Sequence, residues 1–306
     1  MRFTKHSDDC KRMMNYTVFW RRLTALYDEG EAKAIARMVF EVCLGMRYAD
    51  MLVGEECKEE QVAVAEEILL RLLKGEPVQY VTGRAMFCDR EFTVAPGVLI
   101  PRPETEELTQ RIYSWAREQY PDDKSLTILD CCTGSGCIAI SLALDLPGSE
   151  VWAFDISEAA LAIAKKNARG LGAKVNFFEA DALEMEGIGH GFDQLTNRGF
   201  DIIVSNPPYV CEWEKQDMER NVLEYEPHEA LFVPDDDAIR FYKAIGRFAA
   251  RRLNTDGNLW FEINPNYADE IADFLLSEGF GKAEVITDCF GKKRYVHTYE
   301  IRRDNI

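Results

Sequence analysis

The sequence has no long apolar run and few residues of the kinds that bind metals. No stretch reaches the roughly 18 apolar residues of a membrane span, and the N-terminus lacks a signal-peptide core, so we expect a cytoplasmic protein. There are only four histidines. Of the nine cysteines, Cys131, Cys132 and Cys137 lie close together, but no second cluster completes the paired spacing of structural zinc. We predict no metal site and expect reduced thiols.

Basic residues are also scarce, and their deficit is uneven along the chain. The sequence holds 36 Lys and Arg against 53 Asp and Glu, a formal net charge of -17. Residues 1–100 carry 14 basic against 16 acidic side chains, whereas residues 101–306 carry 22 against 37. Contacts to phosphates supply most of the non-specific affinity for nucleic acids. The acidic C-terminal part is therefore poorly suited to bare DNA or RNA, and a small-molecule or protein substrate is favoured.

The chain is long and apolar enough for about two globular domains. Hydrophobic residues make up 47% of the 306 positions, and a domain takes roughly 150 residues. Apolar residues follow helical spacing over 17–27, 31–48 and 59–73. This pattern predicts an N-terminal helical bundle at residues 1–75, with short connections between the helices.

The C-terminal part has the pattern of an α/β domain, which we place at residues 105–306. Before it, two strand-like runs flank Cys88-Asp89-Arg90 and predict a β-hairpin linker at 76–104. Apolar runs then predict strands at 126–130, 150–154, 174–178, 201–205, 257–263, 283–287 and 295–300. Helical spacing predicts helices from Pro103 to about Gln119 and at 137–145, 157–169, 237–253 and 267–278. The stretch 184–199 is expected to be a loop, and the strand–helix alternation indicates a mostly parallel seven-stranded sheet.

One strand of this sheet runs directly into Asn206-Pro207-Pro208-Tyr209. Prolines cannot extend a sheet ladder and hold the preceding residue extended, so Asn206 is fixed just beyond the carboxyl end of the strand. Ligands bind at that edge of open parallel sheets. The side-chain oxygen of Asn206 and the carbonyl of Pro207 can accept the two hydrogens of a planar NH2 group, while Tyr209 lies against its face. An ordinary turn after a core strand is the alternative for these four residues alone.

A second ligand-binding pattern begins at the strand 126–130. It is followed by Cys131-Cys132-Thr133-Gly134-Ser135-Gly136 and a helix, and glycines at such a turn let the backbone approach a ligand. Two later strands end in Asp155-Ile156 and in Asp181-Ala182. An acid about 20 residues past the glycines is the expected partner of ribose hydroxyls. Helix N-caps and solvated loop charges are the structural alternatives for these acids.

The ligand is expected to be a nucleoside without a pyrophosphate. The turn has two glycines and no Gly-x-Gly-x-x-Gly, and no basic residue near Asp155 could take a 2′-phosphate. S-adenosylmethionine presents a ribose, an adenine and a sulfonium cation that suits an acidic surface. A dinucleotide stays possible but is not favoured. The predicted cofactor site comprises Asp130, Cys132, Thr133, Gly134, Ser135, Gly136, Asp155, Ile156, Asp181, Ala182 and Asn206.

These motifs resemble those of the class I S-adenosylmethionine-dependent methyltransferases, which have a Rossmann-like domain. The segments that carry this resemblance are Asp130-x-x-Thr133-Gly134-Ser135-Gly136, Asp155-Ile156-Ser157 and Asn206-Pro207-Pro208-Tyr209. Three further segments resemble the HemK family of release factor glutamine methyltransferases: Glu76-Pro77-Val78-Gln79-Tyr80-x-x-Gly83, Val98-Leu99-Ile100-Pro101-Arg102-Pro103-Glu104-Thr105-Glu106 and Tyr225-Glu226-Pro227-x-x-Ala230-Leu231. The resemblance runs from about Glu76 to the C-terminus.

The resemblance implies methyl transfer from S-adenosylmethionine to the N5 amide nitrogen of a glutamine, most readily that of the Gly-Gly-Gln motif of peptide chain release factors. The catalytic and substrate-binding residues would then be Asn206, Pro207, Pro208 and Tyr209, and Phe87 or Tyr80 could also flank the amide. Arg102 is expected to brace its own loop by ion pairing rather than to touch the substrate. The helical N-terminal domain would recognise the protein substrate.

Two positions depart from the family pattern. Cys131-Cys132 stands where the family usually has Leu-Gly, and we expect a side chain at Cys132 to be tolerated with a negative φ. Glu262-Ile263-Asn264-Pro265 stands where the family has Glu-Ile-Gly, so the role of that loop is open.

Three other functions are compatible with parts of these patterns. A glutamine methyltransferase could act on a ribosomal protein instead. An adenine-N6 or guanine-N2 methyltransferase can share Asn-Pro-Pro-Tyr, but the chain has no basic, aromatic-interleaved segment for a nucleic acid. A non-catalytic adenosylmethionine-binding module would not need the intact acceptor loop at Asn206.

Overall fold

A computed structural model describes residues 13–121, 124–185 and 199–301. The chain divides into two compact units. The first reaches to Gly83 and includes Arg220–Tyr225, and the second comprises Arg84–Glu219 and everything from Glu226 onward. No helix in the described ranges is long and apolar enough to cross a membrane.

The described residues form eleven α-helices and eleven β-strands, numbered in chain order. The helices are α1 (Tyr16–Leu23), α2 (Glu29–Val42), α3 (Tyr48–Leu52), α4 (Glu59–Leu72), α5 (Val78–Thr82), α6 (Pro103–Gln119), α7 (Cys137–Asp145), α8 (Glu158–Leu171), α9 (Arg220–Tyr225), α10 (Arg240–Arg252) and α11 (Ala268–Ser277). The strands are β1 (Arg84–Phe87), β2 (Arg90–Thr93), β3 (Thr127–Cys131), β4 (Glu150–Asp155), β5 (Val175–Glu179), β6 (Phe200–Ser205), β7 (Val210–Cys211), β8 (Phe232–Val233), β9 (Leu253–Glu262), β10 (Phe280–Thr287) and β11 (Lys293–Ile301).

The first unit is built around the predicted helices. The side chain of Asn15 accepts a hydrogen bond from the backbone of α1, and that of Asp28 does the same for α2, so both helices begin at a side-chain cap. Their apolar faces meet in a core that includes Phe19 and Phe40, whose ring centroids lie 5.4 Å apart. The hydroxyl of Tyr225 in α9 donates to the carbonyl of Lys74, which ties this later segment to the unit.

The segment after Gly75 is helical, although its sequence pattern predicted a strand-like run. Val78–Thr82 forms α5 after Pro77, and Val81 packs into the core of the first unit. Burial of that side chain outweighs the weak strand preference of the β-branched residues. The predicted hairpin does form, between β1 and β2, and its turn residues Cys88 and Asp89 have φ of 48° and 58°. The second strand of the hairpin ends at Thr93, and the rest of the predicted linker up to Arg102 forms no strand.

The second unit contains the predicted seven-stranded sheet. Its strand order is β10-β11-β9-β6-β3-β4-β5, parallel except for β11, which runs antiparallel to both neighbours. All seven predicted strands and the predicted helices of this unit are present, with ends shifted by a few residues. Of the predicted loop at 184–199, residues 186–198 lie outside the described ranges.

The chain order of the strands reverses between β3 and β6. From β3 the chain moves outward to β4 and β5, and then returns to place β6 on the other side of β3. Both β3 and β6 are buried over almost their full length, and apolar clusters cover the two faces of the sheet. The point of reversal leaves a crevice at the carboxyl ends of the strands, which is where such sheets bind ligands.

Candidate active site

The predicted site residues follow strands that end in register. Cys131 of β3 pairs with Phe154 of β4 and with Ser205 of β6, and Asp155 pairs with Glu179 of β5. The residues directly after these strands therefore meet at one edge of the sheet. They surround a cavity of about 240 Å³.

Eight of the predicted residues line this cavity: Cys132, Gly134, Asp155, Ile156, Asp181, Ala182, Asn206 and Pro208. Asp130, Thr133 and Ser135 are buried beneath the turn instead. Gly136 caps α7 with a φ of 81°, and a Cβ there would lie 2.9 Å from the side chain of Ile140. These four residues shape the turn without lining the cavity.

Asp155 is held by two backbone N–H groups. Its Oδ2 accepts from Gly134 at 2.8 Å and its Oδ1 from Ser157 at 3.0 Å. Each carboxylate oxygen keeps a further lone pair, which ribose hydroxyls can use. Burial raises the pKa of Asp155, while the two backbone donors lower it. Asp181 lines the cavity, as expected of a cofactor ligand. Its side chain also accepts from the backbone N–H of Leu183 at 2.8 Å, as expected of an N-cap.

Cys132 has a φ of 61°, so the expectation of a negative φ is wrong. This is the left-handed region, which disfavours any residue with a Cβ. The turn is held on both sides: the N–H of Thr133 donates to Phe154 at 2.9 Å, and the hydroxyl of Ser205 donates to Cys131 at 2.7 Å. Burial and the carboxylates of Asp155 and Asp130 raise the pKa of the Cys132 thiol well above its usual value, so the group stays neutral.

The acceptor loop, Asn206-Pro207-Pro208-Tyr209, is anchored from three sides. The Nδ2 of Asn206 donates to Thr105 at 3.0 Å, and the hydroxyl of Tyr209 donates to Glu262 at 3.0 Å. The backbone N–H groups of Tyr209 and Val210 both donate to the carbonyl of Leu231, at 3.2 and 2.9 Å. Pro207 is buried, and Tyr209 is half-buried outside the set of residues that line the cavity.

Asn264 gives the Glu262-Ile263-Asn264-Pro265 loop a structural role. Its Nδ2 donates to the carbonyl of Tyr209 at 3.0 Å and to Glu214 at 2.7 Å. A glycine at this position could make neither bond. The loop therefore ties the end of β9 to the acceptor loop.

Several residues around the site were not identified as functional from the sequence. Gly97, Val98, Leu99, Glu229, Ala230 and Phe241 line the cavity. Most of them belong to the Val98–Glu106 and Tyr225–Leu231 segments that carried the family resemblance, which was the available signal. Phe87, by contrast, packs edge-to-face on Phe92 in the core, and Tyr80 belongs to the first unit.

The predicted bracing role of Arg102 is confirmed as an ion pair with Glu226. Glu226 is buried, and its other oxygen accepts from the N–H of Ile100 at 3.1 Å. The pair connects the Val98–Glu106 and Tyr225–Leu231 segments and keeps Val98 and Leu99 at the wall of the cavity.

The cavity suits S-adenosylmethionine. Its described lining includes the carboxylates of Asp155, Asp181 and Glu229 and contains no Lys or Arg. Carboxylates match ribose hydroxyls, an exocyclic amine and a sulfonium cation, and they repel phosphates. Ile156, 57% exposed, and Phe241 provide apolar surface for a flat ring.

Comparison with known proteins identifies the class. A family model described as "Methyltransferase domain" matches residues 122–274. The crystal structure of a methyltransferase from Pyrococcus furiosus shares the fold, with a TM-score of 0.50 over 78% of this chain and 100% of that chain, at 14% identity. The second unit is a class I methyltransferase domain, the class that uses S-adenosylmethionine.

The particular family follows from closer relatives. A model described as "PrmC N-terminal domain" matches residues 20–83. The chain is 44% identical to the release factor glutamine methyltransferase of Bacteroides thetaiotaomicron, over 92% of this chain and 98% of that protein. It is 39% identical to the protein of the same name from Flavobacterium psychrophilum, over 92% and 97%. The chain belongs to the release factor glutamine methyltransferase family.

Proposed function

We propose that this protein methylates the side-chain amide nitrogen of a glutamine in peptide chain release factors, in the cytoplasm. The observation that supports this most directly is the position of Asn206. Asn206 lines the same cavity as Asp155, Cys132 and Gly134, and its NH2 group is already engaged by Thr105. The amide oxygen is thereby left as an acceptor for a planar NH2 substrate.

An amide nitrogen is a poor nucleophile because its lone pair is delocalised into the carbonyl. Asn206 Oδ1 and the Pro207 carbonyl would accept the two hydrogens and hold the nitrogen in line with the methyl group. Positioning of this kind contributes about 7–11 kcal/mol to lowering a barrier, and acceptors aimed at developing positive charge add to it. When bound, S-adenosylmethionine supplies an electrophilic methyl group. The glutamine nitrogen, held by these two acceptors, would form the new N–C bond as the methyl group's bond to its leaving group breaks, and it would release one proton to solvent.

Charge supports a protein rather than a nucleic acid as the acceptor. Residues 101–306 carry 22 basic against 37 acidic side chains, and the described cavity lining holds no cation. A phosphate backbone would meet net repulsion there.

The test is transfer of a labelled methyl group to purified release factors, ribosomal proteins and duplex DNA side by side. We expect label on the release factor, at the glutamine of its Gly-Gly-Gln motif. Asn206→Ala should lower single-turnover transfer about 10²–10³-fold, with a smaller change in adenosylmethionine affinity. Label on ribosomal protein or DNA alone would contradict the proposed substrate, and near-full transfer by Asn206→Ala would contradict the proposed mechanism.

A further inference from the structure

A buried chain of hydrogen bonds runs behind Asn206. Its Nδ2 donates to Thr105 Oγ1 at 3.0 Å, and Thr105 Oγ1 donates to Glu262 Oε2 at 2.6 Å. Thr105 is 3% exposed and Glu262 1% exposed, so water does not compete for these bonds. Because Ser205 of β6 pairs with Phe261 of β9, the two residues that follow them, Asn206 and Glu262, lie side by side at the ends of adjacent strands.

We propose that Thr105 is a positioning residue that, held by Glu262, fixes which end of the Asn206 amide faces the substrate. This inference rests on the proposed function, since it explains how Asn206 presents its oxygen rather than its NH2 group. The amide of an asparagine is nearly symmetric in shape, so packing alone distinguishes its two orientations poorly. The hydrogen bonds of Thr105 distinguish the two orientations, because Thr105 can accept from the amide NH2 group but has no proton left to donate to the amide oxygen.

The direction of these hydrogen bonds follows from the number of protons that Asn206, Thr105 and Glu262 can share. A carboxylate only accepts hydrogen bonds, and both oxygens of Glu262 are used, by the hydroxyls of Thr105 and Tyr209. Thr105 has a single hydroxyl proton, which goes to Glu262. Its oxygen can then only accept from Asn206, so the NH2 group must face Thr105. Rotating the amide would bring its oxygen against another acceptor.

Two hydroxyl donors and a cation favour the carboxylate form of Glu262 against its burial. Burial raises the pKa of Glu262 above its usual value and Glu104 adds to this, while the Thr105 and Tyr209 hydroxyls and the Arg294 cation offset the rise only in part. Arg294 itself is paired with Asp288 at 3.3 Å. In the carboxylate form, each oxygen of Glu262 accepts one hydrogen bond, from the hydroxyl of Thr105 or from that of Tyr209.

Thr105→Val tests the proposal because it removes the hydroxyl and keeps the shape. Single-turnover methyl transfer to a full-length release factor should fall about 10–100-fold, the size of effect produced when the partner that orients a functional side chain is lost. Thr105→Ser keeps the hydroxyl and should stay within about threefold of the wild-type rate. In the Asn206→Ala background, Thr105→Val should cost nothing further, since Thr105 acts through Asn206.

Thr109→Val is the matched control, one turn further along α6. Thr109 is equally buried, and its hydroxyl donates to the carbonyl of Thr105 rather than to the chain that ends at Asn206. Its rate should stay close to wild type. A full rate in Thr105→Val, or an equal loss with and without Asn206, would overturn the proposal and make Thr105 a packing residue.

A second measurement does not depend on the substrate. The side-chain NH2 signals of Asn206, observed by NMR in protein labelled at asparagine and assigned by their loss in Asn206→Ala, should show slow hydrogen exchange in the wild type and in Thr105→Ser. They should exchange fast in Thr105→Val. Unchanged signals in Thr105→Val would overturn the orientation mechanism. If the wild type instead fails to methylate release factors, the proposed function fails while this measurement still decides the role of Thr105.

Discussion

Cys132 has a backbone conformation that glycine adopts without strain. Its φ of 61° costs roughly 1–2 kcal/mol relative to a right-handed residue. The cost is offset by the side chain, which packs against the core cluster under β3 and β4. The turn keeps its path without the glycine that the family usually has there, because the flanking hydrogen bonds to Phe154 and Ser205 hold it.

We predict that Cys132→Gly and Cys132→Val differ sharply in stability. Glycine relieves the strain but loses the packed side chain and gains freedom in the unfolded chain, so its free energy of unfolding should stay within about 1 kcal/mol of wild type. Valine is β-branched and should lose about 1–3 kcal/mol. Urea unfolding of the ligand-free proteins measures both. Equal stability of the valine variant and the wild type would show that residue 132 is not held in the left-handed region.

The junction between β3 and α7 depends on a buried carboxyl group. Asp130 Oδ2 accepts from the hydroxyl of Thr133 at 2.6 Å and from the N–H of Ala139 at 3.2 Å, which ties the turn to the first turn of the helix. Asp130 Oδ1 is buried and has no partner within the described part of the chain. Burial raises the pKa of Asp130 from 3.8 to about 7.

The raised pKa predicts a pH-dependent contribution to stability. The folded state holds the Asp130 proton more tightly than the unfolded state, so this stabilisation is complete below about pH 4 and is lost as the pH rises through about 7. Asp130→Asn imitates the protonated form at every pH. The free energy of unfolding of wild type minus variant should fall by about 1–3 kcal/mol between pH 5 and pH 8. Parallel pH dependences of the two proteins would show that Asp130 titrates normally.

The loop after β9 is held by the side chain of Asn264, at a position where the family pattern has glycine. Asn264 bonds the carbonyl of Tyr209 and the carboxylate of Glu214, and Glu214 also accepts from the N–H of Cys211 at 2.8 Å. These bonds connect the ends of β9 and β7. A glycine supplies only backbone atoms, so in this chain the Asn264 side chain adds two hydrogen bonds, one of them to the acceptor loop.

The N-terminal and C-terminal parts of the molecule differ in net charge. Residues 1–100 are close to neutral, whereas residues 101–306 are strongly acidic. In the first unit, Leu52 and Val53 are 64% and 82% exposed at the end of α3. Two neighbouring exposed apolar side chains are suited to a protein partner, and we propose that this unit recognises the protein substrate.

This proposal predicts an effect on KM without an effect on chemistry. Leu52→Asp combined with Val53→Asp should raise KM for the release factor about tenfold, or roughly 1.4 kcal/mol. The maximal rate and adenosylmethionine affinity should not change. Leu276→Asp, at a 43% exposed apolar position in the second unit, is the matched control. A KM that responds equally to both changes would argue against recognition by the first unit.

The sequence by itself determined the sheet and the order of its ligand-binding turns. Alternation of apolar strands with amphipathic helices allowed the seven strands to be located, because burial on both faces leaves an apolar signature. Asn206 and Asp155 could be placed at one edge because the carboxyl ends of parallel strands meet there. Each of the patterns behind these conclusions lies within a short stretch of sequence, so it can be recognised without the tertiary structure.

The tertiary structure alone decided which side chains act behind these turns. Thr105 and Glu262 are 157 positions apart, and Arg102 and Glu226 are 124 apart, so no local pattern reveals either pair. The sign of φ at Cys132 likewise depends on how neighbouring strands hold the turn, and the helix at Val78–Thr82 depends on the core that Val81 enters. Hydrogen-bond direction and backbone strain are set by partners that only the folded chain brings together.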